Sequence, residues 1–261
     1  MTESICPGLL LDEEQSGVFE LTFDRPERRN ALTEEMMQGL GTVVDVVNQR
    51  ADAVALIVRG NGGAFCAGAD MGVVAARSKG DATHRWPELM GREAELLAHC
   101  EVPTISVVTG PAVGLGMGLA IGCDICIVEP QGYFAEAHLA LGLTPTAMCW
   151  WLPRMAGLQR AADIVLTGRR VYGDEALAIG LAARLAPVDH GREAALAVAA
   201  EIAQKPRVMT RFAKMALRMA QDEQTMSQVR LFGGLANRLH RGIAAQNGPP
   251  SAHEQIPDPL T

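Results

Sequence analysis

Apolar residues in this chain fall first into short β-branched runs separated by glycine turns, and later into helical stripes. Two of the runs, Thr104 to Val108 and Ile125 to Val128, read as buried strands. Between them the chain turns at Gly110-Pro111 and passes through Gly114, Gly116, Gly118 and Gly122, which predicts a short helix. A helix that starts at the end of a buried strand points unpaired backbone N–H groups and the positive end of its dipole into a crevice, where an oxyanion can be held. Gly114, Gly118 and Gly122 also leave one helix face bare, so another backbone can approach it closely. The two uses are compatible.

The remaining pattern surrounds that stretch. Leu9 to Leu11 and Val18 to Phe23 form a hairpin through Gln15-Ser16-Gly17. Pro26 ends the second strand, and Thr33 is placed to cap a helix whose apolar positions Met36, Met37, Leu40, Val43, Val44 and Val47 repeat with helical spacing. Arg28 and Arg29 sit on the exposed turn between them, either meeting phosphates or solvated. Ala53 to Val58 is the next buried strand. It runs into GNGGAFCAGAD, Gly60 to Asp70, with Asp70 placed to cap a following helix. Two glycine loops at the ends of neighbouring strands can each give one backbone N–H, and together form a two-donor hole. Leu158 to Thr167, Asp174 to Ile179, Arg192 to Gln204 and Val208 to Ala220 are amphipathic helices, and Asp222 to His240 is a further helix with a bend at Gly233-Gly234. The last segment, GPPSAHEQIPDPLT, has the composition of a disordered end.

Composition narrows the classes. A chain of 261 residues with 48% hydrophobic content can bury one large core, and no repeat suggests a solenoid. A net charge of −7 and the lack of a dense Lys/Arg cluster argue against a nucleic-acid surface. Val102 to Cys123 carries no charge, but its prolines and glycines and its flanks without nearby Lys or Arg argue against a membrane span. The glycines at 114, 116 and 118 do not spell a dinucleotide fingerprint. The N-terminus lacks a basic region followed by an apolar core, so a cytoplasmic location is expected. The six cysteines fit a reducing compartment. Cys123 and Cys126 point to opposite faces of a strand, so they read as buried small residues rather than a redox pair or half a zinc site, and no metal is expected.

DRPERRNAL (Asp24 to Leu32), AFCAGAD (Ala64 to Asp70), the turn after VTGPAVG and FAEAHLALGLTP (Phe134 to Pro145) follow one another in an order and spacing that resemble the crotonase superfamily, which includes enoyl-CoA hydratases and isomerases. The resemblance runs from about Val18 to Ala220 and implies an α/β fold, a crotonase-like superhelix of repeated β-β-α units over residues 1–190. It further implies a C-terminal helical segment over 191–247 for oligomerisation and site cover, a disordered tail over 248–261, and homotrimers or dimers of trimers. The implied partner is an acyl-CoA substrate. Coenzyme A would arrive as part of it, with no permanently bound cofactor.

The resemblance also carries roles. The oxyanion hole for the thioester carbonyl would use the backbone N–H groups of Ala69 and Leu115. Ala67, Gly68, Ala69 and Asp70 would belong to the substrate-binding segment, with Ala67 to Ala69 at the adenine end, and Arg28 or Arg29 would meet the CoA phosphates. The two glutamates of the family's hydratases fall at Gly118 and His138, and the aspartate of dienoyl-CoA isomerases and related dehalogenases falls at Thr146. All three carboxylates are replaced, so two-glutamate hydration is not expected. His138 can substitute as a single acid/base, because a neutral imidazole takes and returns a proton near physiological pH. Glu136 either orients that imidazole or faces a subunit contact. His84 and Trp86 lie in a polar stretch that either touches substrate or is solvated, and Asp124 is expected to bind nearby backbone N–H groups. Trp150 and Trp151 diverge on a helix, so one can line the acyl pocket while the other packs. The readings are an enolate-forming acyl-CoA enzyme of hydratase, isomerase or lyase type, a non-catalytic acyl-CoA-binding homologue, and a C–C bond hydrolase or decarboxylase of the same fold.

Overall fold

Strand β3 (Val18–Phe23) is buried at every position because it lies inside a sheet, paired antiparallel with β2 (Leu9–Gln15) and parallel with β4 (Ala55–Gly60). The computed structural model describes residues 2–15, 17–70, 72, 93–141 and 145–222. From β3 the sheet continues in parallel through β4, β5 (Thr104–Val108), β7 (Ile125–Val128) and β10 (Arg184–Leu185), with β1 (Glu3–Cys6) on the far side of β2. Strands buried on both faces need no polar alternation, which is why β4 and β5 are nearly continuous apolar runs.

A second layer grows beside the first. It contains β6 (Pro111–Val113), β8 (Tyr133–Ala135) and β9 (Val171–Tyr172), with β6 parallel to β8 and β8 antiparallel to β9. Parallel bridges Leu32–Ala69 and Cys66–Ala112 extend that ladder into the segments after β3 and β4. Each turn of the chain thus lays one strand in the large sheet and one in the small layer. Helices α1 (Glu34–Gln49) and α3 (Leu115–Gly122) then close their turns. This is the β-β-α superhelix that the motifs implied.

The caps and cores follow from sequence. The Thr33 hydroxyl accepts from Met36 N–H at 3.1 Å and starts α1, whose Met36, Met37, Leu40, Val43, Val44 and Val47 are all buried. Phe23 and Phe65 meet edge to face, with centroids 5.6 Å apart, inside the larger core. A smaller core joins Val18, Ile57, Ile105 and Ile127 to Ala195, Val198 and Ala199 of α7 (Gly191–Ala203). Helix α2 (Glu93–Ala98) precedes β5; α4 (Thr146–Ala156), α5 (Leu158–Thr167) and α6 (Gly173–Ile179) follow β8, and α8 is Arg207–Asp222. Helix α8 is clamped to the body through Asp124, which accepts from Thr104 N–H at 2.8 Å as expected and also holds Lys214 at 2.8 Å and Arg218 at 2.7 Å.

The structure corrects several expectations. Pro111–Val113 is a strand, not part of the turn, and β1, β9 and β10 were not predicted. All are short pieces defined by their partners rather than by periodicity. The helix expected after Asp70 is described only at Gly72; His84, Trp86, the helix over 223–240 and the tail lie outside the described residues. Among the described residues, no helix is long and apolar enough to cross a membrane, and no group of three or more His, Cys, Asp or Glu could hold a metal ion.

Candidate active site

Asn30 ties the first part of the site together. Arg29 and Asn30 both have left-handed backbone, φ 50° and 58°, and asparagine tolerates that conformation well. The buried Asn30 amide accepts from Arg25 N–H at 2.9 Å and donates to the carbonyls of Asn61 at 2.9 Å and Ala64 at 2.8 Å. It thereby fastens the turn after β3 to the loop after β4. Arg28 and Arg29 keep exposed side chains on that turn.

The segment from Cys66 to Asp70 runs alongside. Ala67 N–H donates to the Arg29 carbonyl, Leu32 N–H to Gly68, and Asp70 N–H to Leu32, at 2.8–3.0 Å. Gly68 and Asp70 therefore bracket Leu32, the bridge partner of Ala69. Asp70 is engaged within the protein: Arg25 reaches its carboxylate at 3.2 Å, and its other oxygen accepts from Gly72 N–H at 2.9 Å. Gly68 has φ 93°, and a Cβ on it would stand 2.8 Å from the Val113 carbonyl and 3.8 Å from Leu115 N. The Ala69 and Leu115 donors belong to neighbouring segments.

Helix α3 begins where β6 ends. Gly114 takes φ 54°, ψ −115° and donates its N–H to Ala135 O at 3.0 Å. Leu115 is the first helical residue, so its N–H is one that the helix leaves without an internal acceptor. Among the described residues, neither Leu115 nor Ala69 N–H donates to another backbone carbonyl. The glycines do allow close packing, and Gly116 is the tightest: a Cβ there would lie 2.1 Å from Cys66 O. Gly118 is buried inside α3.

The third part is a carboxylate–imidazole pair. Strand β8 stops at Ala135, and the chain then brings Glu136 and His138 against the start of α3. A Cβ on Gly114 would be 3.5 Å from His138 Cε1 and 3.8 Å from Nδ1, so the ring lies against that glycine. Glu136 Oε1 accepts from the His138 backbone N–H at 2.8 Å and also pairs with His138 Nδ1. A carboxylate on Nδ1 puts the imidazole hydrogen on that nitrogen and the lone pair of the neutral ring on Nε2. The imidazole thus lies beside Gly114, the residue before Leu115.

Other expected residues separate. Thr146 is the first residue of α4, whereas Trp150 is exposed with the Arg154 guanidinium 3.2 Å from its ring centre. Trp151 packs against the core. Arg25 and Asn30 were missed by sequence reasoning, although the second carried a signal, an asparagine at a turn. Burial pushes the Cys66 and Cys126 thiols up to about 12 and Cys123 higher still, so none is a nucleophile at neutral pH.

A spiral of β-β-α turns, with backbone donors from its second and third turns, defines a protein of the crotonase fold. A profile of the enoyl-CoA hydratase/isomerase family matches residues 13–248. A probable enoyl-CoA hydratase of Mycobacterium tuberculosis is 34% identical over 230 residues, covering 87% of this chain and 87% of that protein. The crystal structure of a probable enoyl-CoA hydratase/isomerase from Mycobacterium abscessus superposes with a TM-score of 0.80 at 27% identity, covering 95% of this chain and 100% of that one. A monofunctional enoyl CoA isomerase from M. smegmatis superposes with a TM-score of 0.74 at 28% identity, covering 86% and 99%. The chain belongs to the enoyl-CoA hydratase/isomerase family.

Proposed function

We propose that this protein is an acyl-CoA enzyme that forms a thioester enolate, holds its oxygen on the Ala69 and Leu115 N–H groups, and uses His138 Nε2 as acid and base to move a double bond. The observation that carries this reading is the His138 ring lying against Gly114, next to Leu115 N–H, with its Nδ1 on Glu136. Nε2 would take a proton from C2 of a 3-enoyl thioester. The C–H electron pair then enters a dienolate whose charge rests on the carbonyl oxygen. The imidazolium returns the proton at C4, and the double bond settles between C2 and C3. No water enters, and one base is sufficient.

The resemblance aligns the two hydratase glutamates with Gly118 and His138, so the pair that handles water is replaced by one imidazole. A positioned acid or base contributes about 10²- to 10⁴-fold and an oxyanion donor about 10²- to 10³-fold, which favours a reaction that needs only what remains. The Ala67 N–H bond to the Arg29 carbonyl holds the exposed arginine turn beside the 67–69 segment, and this supports a role for Arg28 or Arg29 at the CoA phosphates and for Ala67 near the adenine. Coenzyme A enters with the substrate.

The test follows α-hydrogen exchange in D₂O and double-bond position together, over a panel of saturated and unsaturated acyl-CoAs. Exchange with migration and no added water is expected. His138→Ala should keep acyl-CoA binding and lose about 10²- to 10⁴-fold in exchange. Unchanged turnover in that variant would remove His138 from the mechanism, and binding without exchange across the whole panel would mark a non-catalytic acyl-CoA-binding protein.

A further inference from the structure

Three glutamates are buried among the described residues, Glu20, Glu129 and Glu136. Two are satisfied at both oxygens. Glu20 accepts from Arg59 at 2.6 Å on Oε1 and from Arg192 at 2.8 Å on Oε2. Glu129 accepts from Gly191 N–H at 2.8 Å on one oxygen, and from Asp189 N–H at 3.1 Å and Gln131 at 2.6 Å on the other. Glu136 is different: both of its donors come from His138 and both reach Oε1, while Oε2 is buried with no hydrogen-bond partner.

A buried charged oxygen without a donor is costly, so a carboxylate with a purely architectural task would be built like Glu20 or Glu129. An arrangement that concentrates the donors on one oxygen suits a different task, which is to hold a negative charge against one imidazole. We infer that Glu136 is the positioning residue of the His138 acid/base, an inference that rests on the reading of His138 given above. Glu136 fixes the hydrogen on Nδ1, so that Nε2 carries the lone pair, and its charge stabilises the imidazolium that exists between the two proton transfers. Through the His138 backbone N–H, the same oxygen locks the main chain and the ring together. The proton taken from C2 stays on Nε2 until it is returned at C4. Glu136 neither gains nor loses one.

The experiment compares wild type, Glu136→Gln and Glu136→Asp in the full chain, with 3-hexenoyl-CoA as the probe. A glutamine at 136 keeps the volume, and its amide oxygen can still accept both His138 donors, but it removes the negative charge. Its exchange rate should fall about 10²- to 10⁴-fold while the Kd for the thioester stays within about threefold. In ¹⁵N spectra followed against pH, the His138 imidazolium should form at lower pH than in wild type, because the charge that stabilised it is gone. Glu136→Asp retains the charge and should recover part of the rate. Exchange in Glu136→Gln within about threefold of wild type, or an imidazolium that titrates as in wild type with the rate lost, overturns the inference. If His138→Ala is inactive while Glu136→Gln is fully active, Glu136 fails and the base reading stands; if both are fully active, the base reading itself fails. Should Glu136→Gln not fold, or wild type not turn over the probe, the wild-type ¹⁵N spectrum decides: Nδ1–H supports the inference, and Nε2–H overturns it.

Discussion

The segment from Cys66 to Asp70 and the start of α3 stand side by side, yet different forces hold them. The first is fastened by side chains that reach it from elsewhere: Asn30 secures the loop leading into it, and Arg25 binds Asp70 just beyond Ala69. The second is fastened by backbone and by missing side chains: Gly114 donates to Ala135, and Gly116 lets Cys66 O approach to where a Cβ would be. A donor held by side chains can be loosened in degrees. A donor held by glycine packing fails as a unit.

Three substitutions sharpen that contrast. The largest effect is expected from Gly116→Ala, because the new Cβ would sit 2.1 Å from Cys66 O and neither backbone can yield. Overpacking of about 1–3 kcal/mol is the usual scale, and this site should reach its upper end, with exchange activity lost together with the urea midpoint. A stable, active Gly116→Ala would show that α3 can slide. Asn30→Ala comes next. It leaves Arg25 N–H and the carbonyls of Asn61 and Ala64 short of partners, at about 1–3 kcal/mol for a buried group so stranded, and the midpoint should fall while residual activity survives at low denaturant. Arg25→Ala should be mildest in stability, about 1 kcal/mol or less, since both partners of its ion pair are partly exposed. Its turnover should nevertheless fall about 10-fold, because small misplacement of a catalytic group is expensive. An Arg25→Ala enzyme with wild-type turnover would show that Ala69 is positioned by backbone alone.

Much of this was legible in the sequence, and the exceptions have physical causes. The runs Thr104–Val108 and Ile125–Val128 were read with the bounds they have, as was Leu158–Thr167, because strong apolar patterns closed by glycine or, after Val128, by Glu129-Pro130 mark their own limits. Strand β6 was not legible: Pro111 reads as turn punctuation, and the strand exists because Phe134 and Cys66 offer it edges. Residues two apart share a face only in an extended segment, and Glu136 and His138 lie past the end of β8. They meet by a tighter local route, with the glutamate side chain accepting from the backbone N–H two residues on, beyond the end of β8. Arg25 was not recognised because its partner, Asp70, is distant in sequence and had been assigned to helix capping and substrate. The two adjacent tryptophans diverge as helical geometry requires, but only the fold decides that Trp151 takes the inward side.

The bridges Leu32–Ala69 and Cys66–Ala112 have a consequence for how the protein comes into being. Each joins one turn of the spiral to the next, so segments far apart in sequence must meet before the small layer is complete. Ala69 is supplied by the second turn, Leu115 by the third and His138 by the fourth. A nascent chain that has completed α3 still lacks Ala135, the acceptor that fastens Gly114, as well as the His138 imidazole. Long-range parallel pairings of this kind form slowly because loops must close before any contact rewards them. The segments that meet around Gly114 therefore come together only once the fourth turn is in place.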